Sequence, residues 1–326
     1  MATVIDSAMR EQLVSRRHRL EAAAVETADA AQLSRLLGEV DAALARMEDE
    51  TYGLCEVCHD PVEAERLLAD PLVCVCLGCL TPKQRRALEE DLELAAQIQA
   101  GLLPCREFMH DGWQVSYHYE AASLVSGDYC DFVTAEDGSL YFMLGDVAGK
   151  GVAASLLMSQ LHAMFRALVP LGLPLVRLVE RASRIFCEST LPAHYATLVC
   201  GRADSEGWVE VCNAGHLPPL LLRGGQARLV EATGLPVGIF CNEQFTSEKF
   251  RTEPGDTLFL FTDGLSETRD PGAAEYGTER LRELLCRNHA LLPAELVAAC
   301  LRDLRDFCAG APLHDDLTVM ALRRTN

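Results

Sequence analysis

The stretch Leu140-Tyr-Phe-Met-Leu-Gly-Asp-Val-Ala-Gly-Lys-Gly151 is the part of the sequence on which the fold depends most. Its first five residues form a short apolar run, which is typical of a buried strand. The strand ends at Gly145-Asp146, and Gly149 and Gly151 then favour a sharp turn because glycine tolerates positive φ. Apolar residues recur at helical spacing from Val152 onward. The stretch therefore predicts a strand, a tight turn and a helix, with Asp146 held at the end of the strand.

A second carboxylate, Asp128, lies on the strand that precedes this one. Asp137-Gly138 is a signal for a two-residue hairpin turn. Counting outward from that turn places Asp128 opposite Val147. We therefore expect Asp128 and Asp146 to lie side by side at the open end of one hairpin.

Aspartates occupy two more positions at the ends of predicted strands. The buried strand 257–262 ends at Asp263, and Asp315 and Asp316 precede the strand 317–322. If these strands run antiparallel, four carboxylate positions gather at one rim, and their repulsion implies a bound cation. All-oxygen ligands suit Mg²⁺ or Mn²⁺ rather than zinc. The alternative is a set of unrelated turn aspartates in an acidic protein.

Five short motifs occur in an order that is typical of one enzyme family. They are Ser126-Gly-Asp-Tyr-Cys-Asp131, Gly145-Asp-Val-Ala-Gly-Lys-Gly151, Asn213-Ala-Gly-His216, Phe261-Thr-Asp-Gly-Leu-Ser-Glu267 and Asp315-Asp-Leu-Thr-Val319. In this order they resemble the SpoIIE/RsbU branch of the metal-dependent PPM serine/threonine phosphatases. The resemblance covers residues 105–326.

That resemblance implies a fold, an activity and a set of metal ligands. The fold is α/β, a PPM-type α-β-β-α sandwich of antiparallel sheets flanked by helices. Two Mn²⁺ or Mg²⁺ ions are held by Asp146, which bridges them, by Asp263 and Asp315 at the first ion, and by the Val147 carbonyl and Asp128 at the second. A metal-bridging hydroxide attacks the phosphoserine or phosphothreonine directly. The implied substrate is a phosphorylated anti-sigma-factor antagonist of the STAS type.

Three further positions bear on catalysis. His216, in a Gly-His turn, is a candidate for orienting substrate, and Lys150 is a candidate for contact with the phosphate. The alternatives are an ordinary turn histidine and a solvated lysine. Eukaryotic PPM enzymes carry a histidine two residues after the bridging aspartate, where this chain has Ala148. The leaving oxygen must therefore obtain its proton from another source.

Residues 51–80 carry two Cys-x-x-Cys pairs separated by seventeen residues. The pairs, Cys55 with Cys58 and Cys76 with Cys79, predict a four-thiolate structural zinc site, and Cys74 is a spare thiol. Reduced cysteines without metal, and a redox-sensing finger, are the alternatives. The segment resembles the DksA/TraR-type zinc finger, in which a preceding helical hairpin can enter RNA polymerase. An RNA-polymerase-binding transcription modulator with a regulatory C-terminal domain is therefore the alternative function.

Two helical segments flank the finger. Residues 1–50 predict a helical hairpin with a break near Thr27–Ala30, and residues 81–104 predict one linker helix that resembles the helix before RsbU-type domains. Its apolar seam has the spacing of a coiled coil and consists of Leu88, Leu92, Ala95, Gln99 and Leu102. Pairing of two such helices predicts a homodimer, and packing on its own domain is the alternative.

The composition limits the remaining possibilities. A net charge of −19 argues against direct nucleic-acid binding. No apolar segment follows Met1 as in a signal peptide, and no uninterrupted apolar run reaches the roughly 18 residues of a membrane span. We expect a cytoplasmic protein that does not contact membrane and whose fourteen cysteines are reduced.

Overall fold

The computed structural model describes residues 2–24, 30–190, 194–310 and 314–326, which divide into two compact units. The first unit is Met1–Asp91 and the second is Leu92–Asn326. The boundary falls within one helix, α4, Pro82–Leu102. This helix begins with Pro82 after a reciprocal cap, in which Gln84 accepts from the amide of Thr81 and Thr81 accepts from the amide of Gln84.

The first unit begins with two long helices. They are α1, Ala2–Ala24, and α2, Ala30–Glu48, and they pack through Leu13, Val40 and Ala43. The predicted break begins at Thr27, in residues 25–29, which lie outside the described residues. A short helix α3, Ala64–Ala69, follows between the two cysteine pairs, and the finger packs around Cys55, Val62 and Cys76.

The second unit consists of two antiparallel sheets between helices. The first sheet has the order β1-β2-β11-β10-β7-β8, and the second has the order β3-β4-β5-β6-β9. The strands of the first sheet are β1 Glu107–His110, β2 Trp113–Glu120, β7 Leu220–Arg223, β8 Gln226–Leu229, β10 Thr257–Phe261 and β11 Leu317–Arg324. Those of the second are β3 Asp128–Thr134, β4 Leu140–Val147, β5 Ala196–Ala203, β6 Trp208–Ala214 and β9 Glu248–Arg251.

Three apolar layers hold this unit together. Phe132, Leu258 and Met320 lie in the layer between the two sheets. The outer face of the second sheet is covered by α5, Gly151–Leu168, and α6, Leu175–Ser189. The outer face of the first is covered by α8, Thr278–Arg287, and α9, Pro293–Cys308, and a short α7, Asp263–Ser266, follows β10. The predicted α-β-β-α sandwich is confirmed.

The register of the β3–β4 hairpin differs by one residue from the predicted one. Asp128 pairs with Asp146 rather than Val147, and Thr134 pairs with Leu140. The turn is longer than two residues: the amide of Ala135 donates to the carbonyl of Ser139, and Gly138 has a φ of +81°. A left-handed glycine in a three-residue loop adds one residue to the count. The two carboxylates consequently face each other directly.

Part of the predicted seam of the linker helix α4 is buried within the second unit. Gln99 is 5% exposed, whereas Leu94 and Ile98 are 55% and 60% exposed. The seam position Gln99 thus faces the unit, and a second, neighbouring stripe is left on the surface. Helical periodicity identifies the stripes but does not show which of them meets the domain.

The expectation of fourteen reduced cysteines is wrong for one pair. Cys187, near the end of α6, and Cys241 form a disulfide with Cα atoms 5.3 Å apart, within the range that a disulfide can bridge.

One described helical segment, Gly151–Leu171, is long and apolar enough to cross a membrane. Its α5 portion buries Met158, Leu161 and Phe165 in the core of the second unit.

Candidate active site

The two facing aspartates of the β3–β4 hairpin form one side of the site. Asp146 is partly exposed, and its pKa is raised to about 7, first by burial and then by the negative charges of Asp263 and Asp315. Gly145 precedes it at a point where a side chain would press on the carbonyl of Thr197, 2.5 Å from an added Cβ. Close packing of β4 on β5 therefore holds Asp146 in place.

Asp263 comes from the other sheet. It is the first residue of α7, directly after β10, whose Phe261 pairs with Val319 of β11. The antiparallel pairing brings the end of β10 to the beginning of β11, as the sequence predicts, and an added Cβ on Gly264 would collide with the carbonyl oxygen of Asp316. Burial, followed by the charge of Asp315, raises the pKa of Asp263.

Asp315 is held by a lysine. The ammonium of Lys150 lies 2.8 Å from Oδ2 of Asp315 and 3.2 Å from the carbonyl of His314. The hydrogen bond to Asp315 raises the pKa of Lys150. A side-chain cation thus already binds one of the carboxylates.

Asp316 is a residue of the site that the sequence analysis named beside Asp315 without giving it a role. Its Oδ1 accepts from the amide of Ala122 (2.8 Å) and its Oδ2 from the amide of Gly127 (2.9 Å). Asp316 therefore joins the start of β11 to the loop before β3. The Asp-Asp doublet was the signal that marked it in the sequence.

Asp128 lies deeper than the other carboxylates. It is 1% exposed, and its Oδ2 accepts from the hydroxyls of Thr262 (3.0 Å) and Thr318 (2.5 Å). Burial raises its pKa well above the usual range. The residue expected to support a second ion is thus held by two threonines, one before Asp263 and one on β11.

His216 is buried, and both of its ring nitrogens have partners within the fold. Its Nε2 lies 3.1 Å from the carbonyl of Phe261, and its Nδ1 lies 2.8 Å from the hydroxyl of Thr197. A carbonyl only accepts, so Nε2 carries the proton and Nδ1 accepts from Thr197. Burial lowers the pKa of His216 to about 4. The ring therefore joins β10 to β5, and a role in orienting substrate stays a prediction.

The donor set suits a hard divalent cation. Asp146, Asp263 and Asp315 offer carboxylate oxygens from three strand ends. The carbonyl oxygen of Val147 and Oδ1 of Asp146 both lie close to Gly127, because a Cβ added there would be 3.2 Å from the carbonyl oxygen and 3.5 Å from Oδ1. Among the described residues, however, only four cysteines bring three or more ligand atoms within 4.8 Å of one another. Repulsion between carboxylates and the ion pair with Lys150 are consistent with the wider spacing.

Those four cysteines form the second candidate centre. The Sγ atoms of Cys55, Cys58, Cys76 and Cys79 all lie within 4.8 Å of one another, close to the spacing of about 3.8 Å that tetrahedral Zn–S bonds of about 2.3 Å require. The backbone amides of Val57 and Cys76 donate to Sγ of Cys55, and the Cys76 amide is the main reason that the pKa of Cys55 falls to about 6. This donor set fits zinc.

Two family models match segments of this chain. The family model described as Stage II sporulation protein E (SpoIIE) matches residues 136–325, and the prokaryotic dksA/traR C4-type zinc finger matches residues 50–85.

The chain covers only part of the length of its relatives. Protein IcfG of Synechocystis is 29% identical over 72% of this chain and 41% of its own length. Phosphoserine phosphatase RsbP of Bacillus subtilis is 29% identical over 60% of this chain and 49% of its own. The chain therefore spans less than half of either protein. A solved structure of the RsbU and RsbW domains of Rv1364c from Mycobacterium tuberculosis is 28% identical, with a TM-score of 0.58, and covers 68% of this chain and 62% of that one.

Proposed function

The chain belongs to the SpoIIE family, and from this we propose that its second unit is a metal-dependent protein serine/threonine phosphatase. The observation that carries the proposal is the meeting of three strand ends, with Asp146, Asp263 and Asp315, at one rim of the sandwich. Burial and mutual repulsion raise the pKa of Asp146 and of Asp263. A bound cation would offset the repulsion between the carboxylates of such a cluster.

Asp146, Asp263, Asp315 and the Val147 carbonyl would hold Mn²⁺ or Mg²⁺, with Asp128 behind them. When bound there, the cation would lower the pKa of a coordinated water to near neutral pH and would offset charge on the phosphoryl oxygens.

The chain's own side chains supply the rest. Lys150 has a 65% exposed side chain at the rim, where its charge attracts a phosphate. Ala148 offers no proton donor, so the leaving oxygen takes its proton from solvent.

The proposed substrate is a phosphoserine or phosphothreonine on an anti-sigma-factor antagonist of the STAS type. Support comes from the motif resemblance and from the name of the relative RsbP, a phosphoserine phosphatase. The proposed assembly is a homodimer through α4, supported by the exposed Leu94 and Ile98. One structural Zn²⁺ is proposed at Cys55, Cys58, Cys76 and Cys79.

The finger match favours a second candidate, binding of RNA polymerase by the first unit with a regulatory second unit. The two candidates differ in what they require of the carboxylates. A polymerase-binding modulator does not need Asp146, whereas a phosphatase does.

The test is hydrolysis of p-nitrophenyl phosphate and of a phosphoserine peptide with Mn²⁺, Mg²⁺ or EDTA. We expect turnover that needs the metal and is largely lost in Asp146→Asn, because the variant lacks the charge of a carboxylate that would hold the cation. Asp137→Asn, at the opposite, exposed end of the same hairpin, is the matched control and should keep parent activity. Equal turnover in parent and Asp146→Asn would reject the proposal.

A further inference from the structure

One polar side chain of α4 is buried within the second unit. Gln99 is the buried residue of this helix. Its Nε2 donates to the carbonyl of Ser126 (2.7 Å), and its Oε1 accepts from the amide of the same residue (2.9 Å). A buried carboxamide is tolerated only when its donor and acceptor are paired, and both are paired here to one residue. The contact is therefore specific in position and orientation.

Ser126, the residue that Gln99 contacts, lies near the end of the loop between β2 and β3. Ser126 Oγ accepts from the amide of Asp128 (3.0 Å). Gly127 donates its amide to Asp316 (2.9 Å) and accepts from the amide of Val147 (3.3 Å). Ser126 and Gly127 thus contact three parts of the acidic site, namely Asp128, Asp316 and Val147, so that a displacement of Ser126 would reach each of them.

The loop has little freedom of its own. An added Cβ on Gly127 would lie 3.2 Å from the side chain of Ala154 and 3.2 Å from the carbonyl of Val147. A shift of the loop therefore presses on the helix α5 or on the strand end that carries Asp146. The same loop is also held by the two hydrogen bonds between Gln99 and Ser126.

We propose that Gln99 is a positioning residue of the metal site: its carboxamide sets the Ser126–Asp128 segment and thereby the spacing of the carboxylates. The proposal rests on the proposed function for its consequence in catalysis. Binding of Mn²⁺ or Mg²⁺ then depends on the docking of the last turns of α4. Gln99 makes this contact with the loop before β3, while Leu94 and Ile98 stay on the surface.

The test compares the same chemical change at a buried and an exposed glutamine of one helix. Mn²⁺ binding to the zinc-loaded full chain is measured by titration calorimetry in the parent, Gln99→Met and Gln97→Met. Methionine keeps the side-chain length and removes both hydrogen bonds. We expect about tenfold weaker Mn²⁺ binding for Gln99→Met, the lower end of what partners behind metal ligands contribute, and no change for Gln97→Met. The Mn²⁺ concentration for half-maximal hydrolysis should shift by the same factor.

A merely structural role predicts a different pattern. It lowers the unfolding temperature of Gln99→Met and leaves Mn²⁺ affinity at the parent value, which would overturn the proposal. If Gln99→Met does not fold, Gln99→Asn replaces it, because that amide is too short to reach both groups of Ser126 and should also weaken Mn²⁺ binding. A parent that binds Mn²⁺ without turnover would reject the phosphatase while calorimetry still decides the role of Gln99. A parent that binds no Mn²⁺ would overturn both.

Discussion

The cysteine centre and the carboxylate centre of this chain are built in opposite ways. The four thiolates come from two short knuckles within Cys55–Cys79 and already lie within 4.8 Å of one another. The carboxylates come from strand ends on two sheets, are spaced more widely, and include one that is paired with Lys150. Local sequence spacing assembles the first centre, whereas the complete fold of the second unit assembles the other. We infer that the first is closed and structural and that the second is open and exchanges its ion.

The largest expected effect tests the closed centre. Cys76→Ser removes one of four ligands and should release zinc and unfold the finger, since zinc supplies on the order of 10 kcal/mol to small modules of this kind. Bound zinc and the amide chemical shifts of residues 51–80 report the change. Cys74→Ser, two residues away, should retain one zinc per chain. Equal zinc content in both variants would contradict the assignment of ligands.

The next effect concerns the unfolding free energy that the metal-free protein loses when Asp146 is ionised. The pKa of Asp146 is raised to about 7, so the metal-free fold binds its proton more tightly than the unfolded chain does. Stability from this group is complete below about pH 4 and is lost as the pH rises through about 7. In metal-free protein, the change in unfolding free energy caused by Asp146→Asn should therefore be more favourable at pH 8 than at pH 4, by up to about 4 kcal/mol. Urea unfolding of the parent and of Asp146→Asn at both pH values measures this change. The same difference in stability at pH 4 and at pH 8 would contradict the raised pKa.

His216 should show the opposite pH dependence in the same unit. Its pKa falls to about 4 because it is buried, so the folded state resists protonation. Stability from the neutral ring is present above about pH 6.5 and is lost as the pH falls toward 4, by roughly 3 kcal/mol. Urea unfolding of the parent and of His216→Gln, which does not titrate, isolates this slope. Identical slopes in the two proteins would show that the ring is not held neutral.

The smallest effect concerns the lysine that shares the open centre. Lys150→Met removes an exposed ion pair, so stability should change by less than about 1 kcal/mol. Mn²⁺ should bind two- to threefold more tightly, roughly the value of such a pair, because Asp315 is then free. Calorimetry measures the gain, and Lys249→Met, which breaks an ion pair with Glu210 away from the site, is the control. Weaker Mn²⁺ binding in Lys150→Met would contradict competition for Asp315.

The same contrast explains what could be predicted from the sequence. The cysteine spacing alone indicated a four-thiolate centre, because both knuckles are local. The strand ends with Asp146, Asp263 and Asp315 were also readable, since each follows or precedes an apolar run. The pairing register was not, because a single left-handed Gly138 lengthened the turn. Nor could periodicity show that Gln99 would be buried against Ser126 or His216 against Phe261, because both contacts join segments far apart in the chain.

The central claim is tested most directly by measuring the metal content and the activity of the intact chain after dialysis against EDTA. We predict that one equivalent of zinc stays bound, that phosphoserine-peptide hydrolysis is lost, and that Mn²⁺ restores it without altering the zinc content. Hydrolysis that survives EDTA without Mn²⁺, or that follows the zinc content instead, would contradict the account of one closed and one open metal centre.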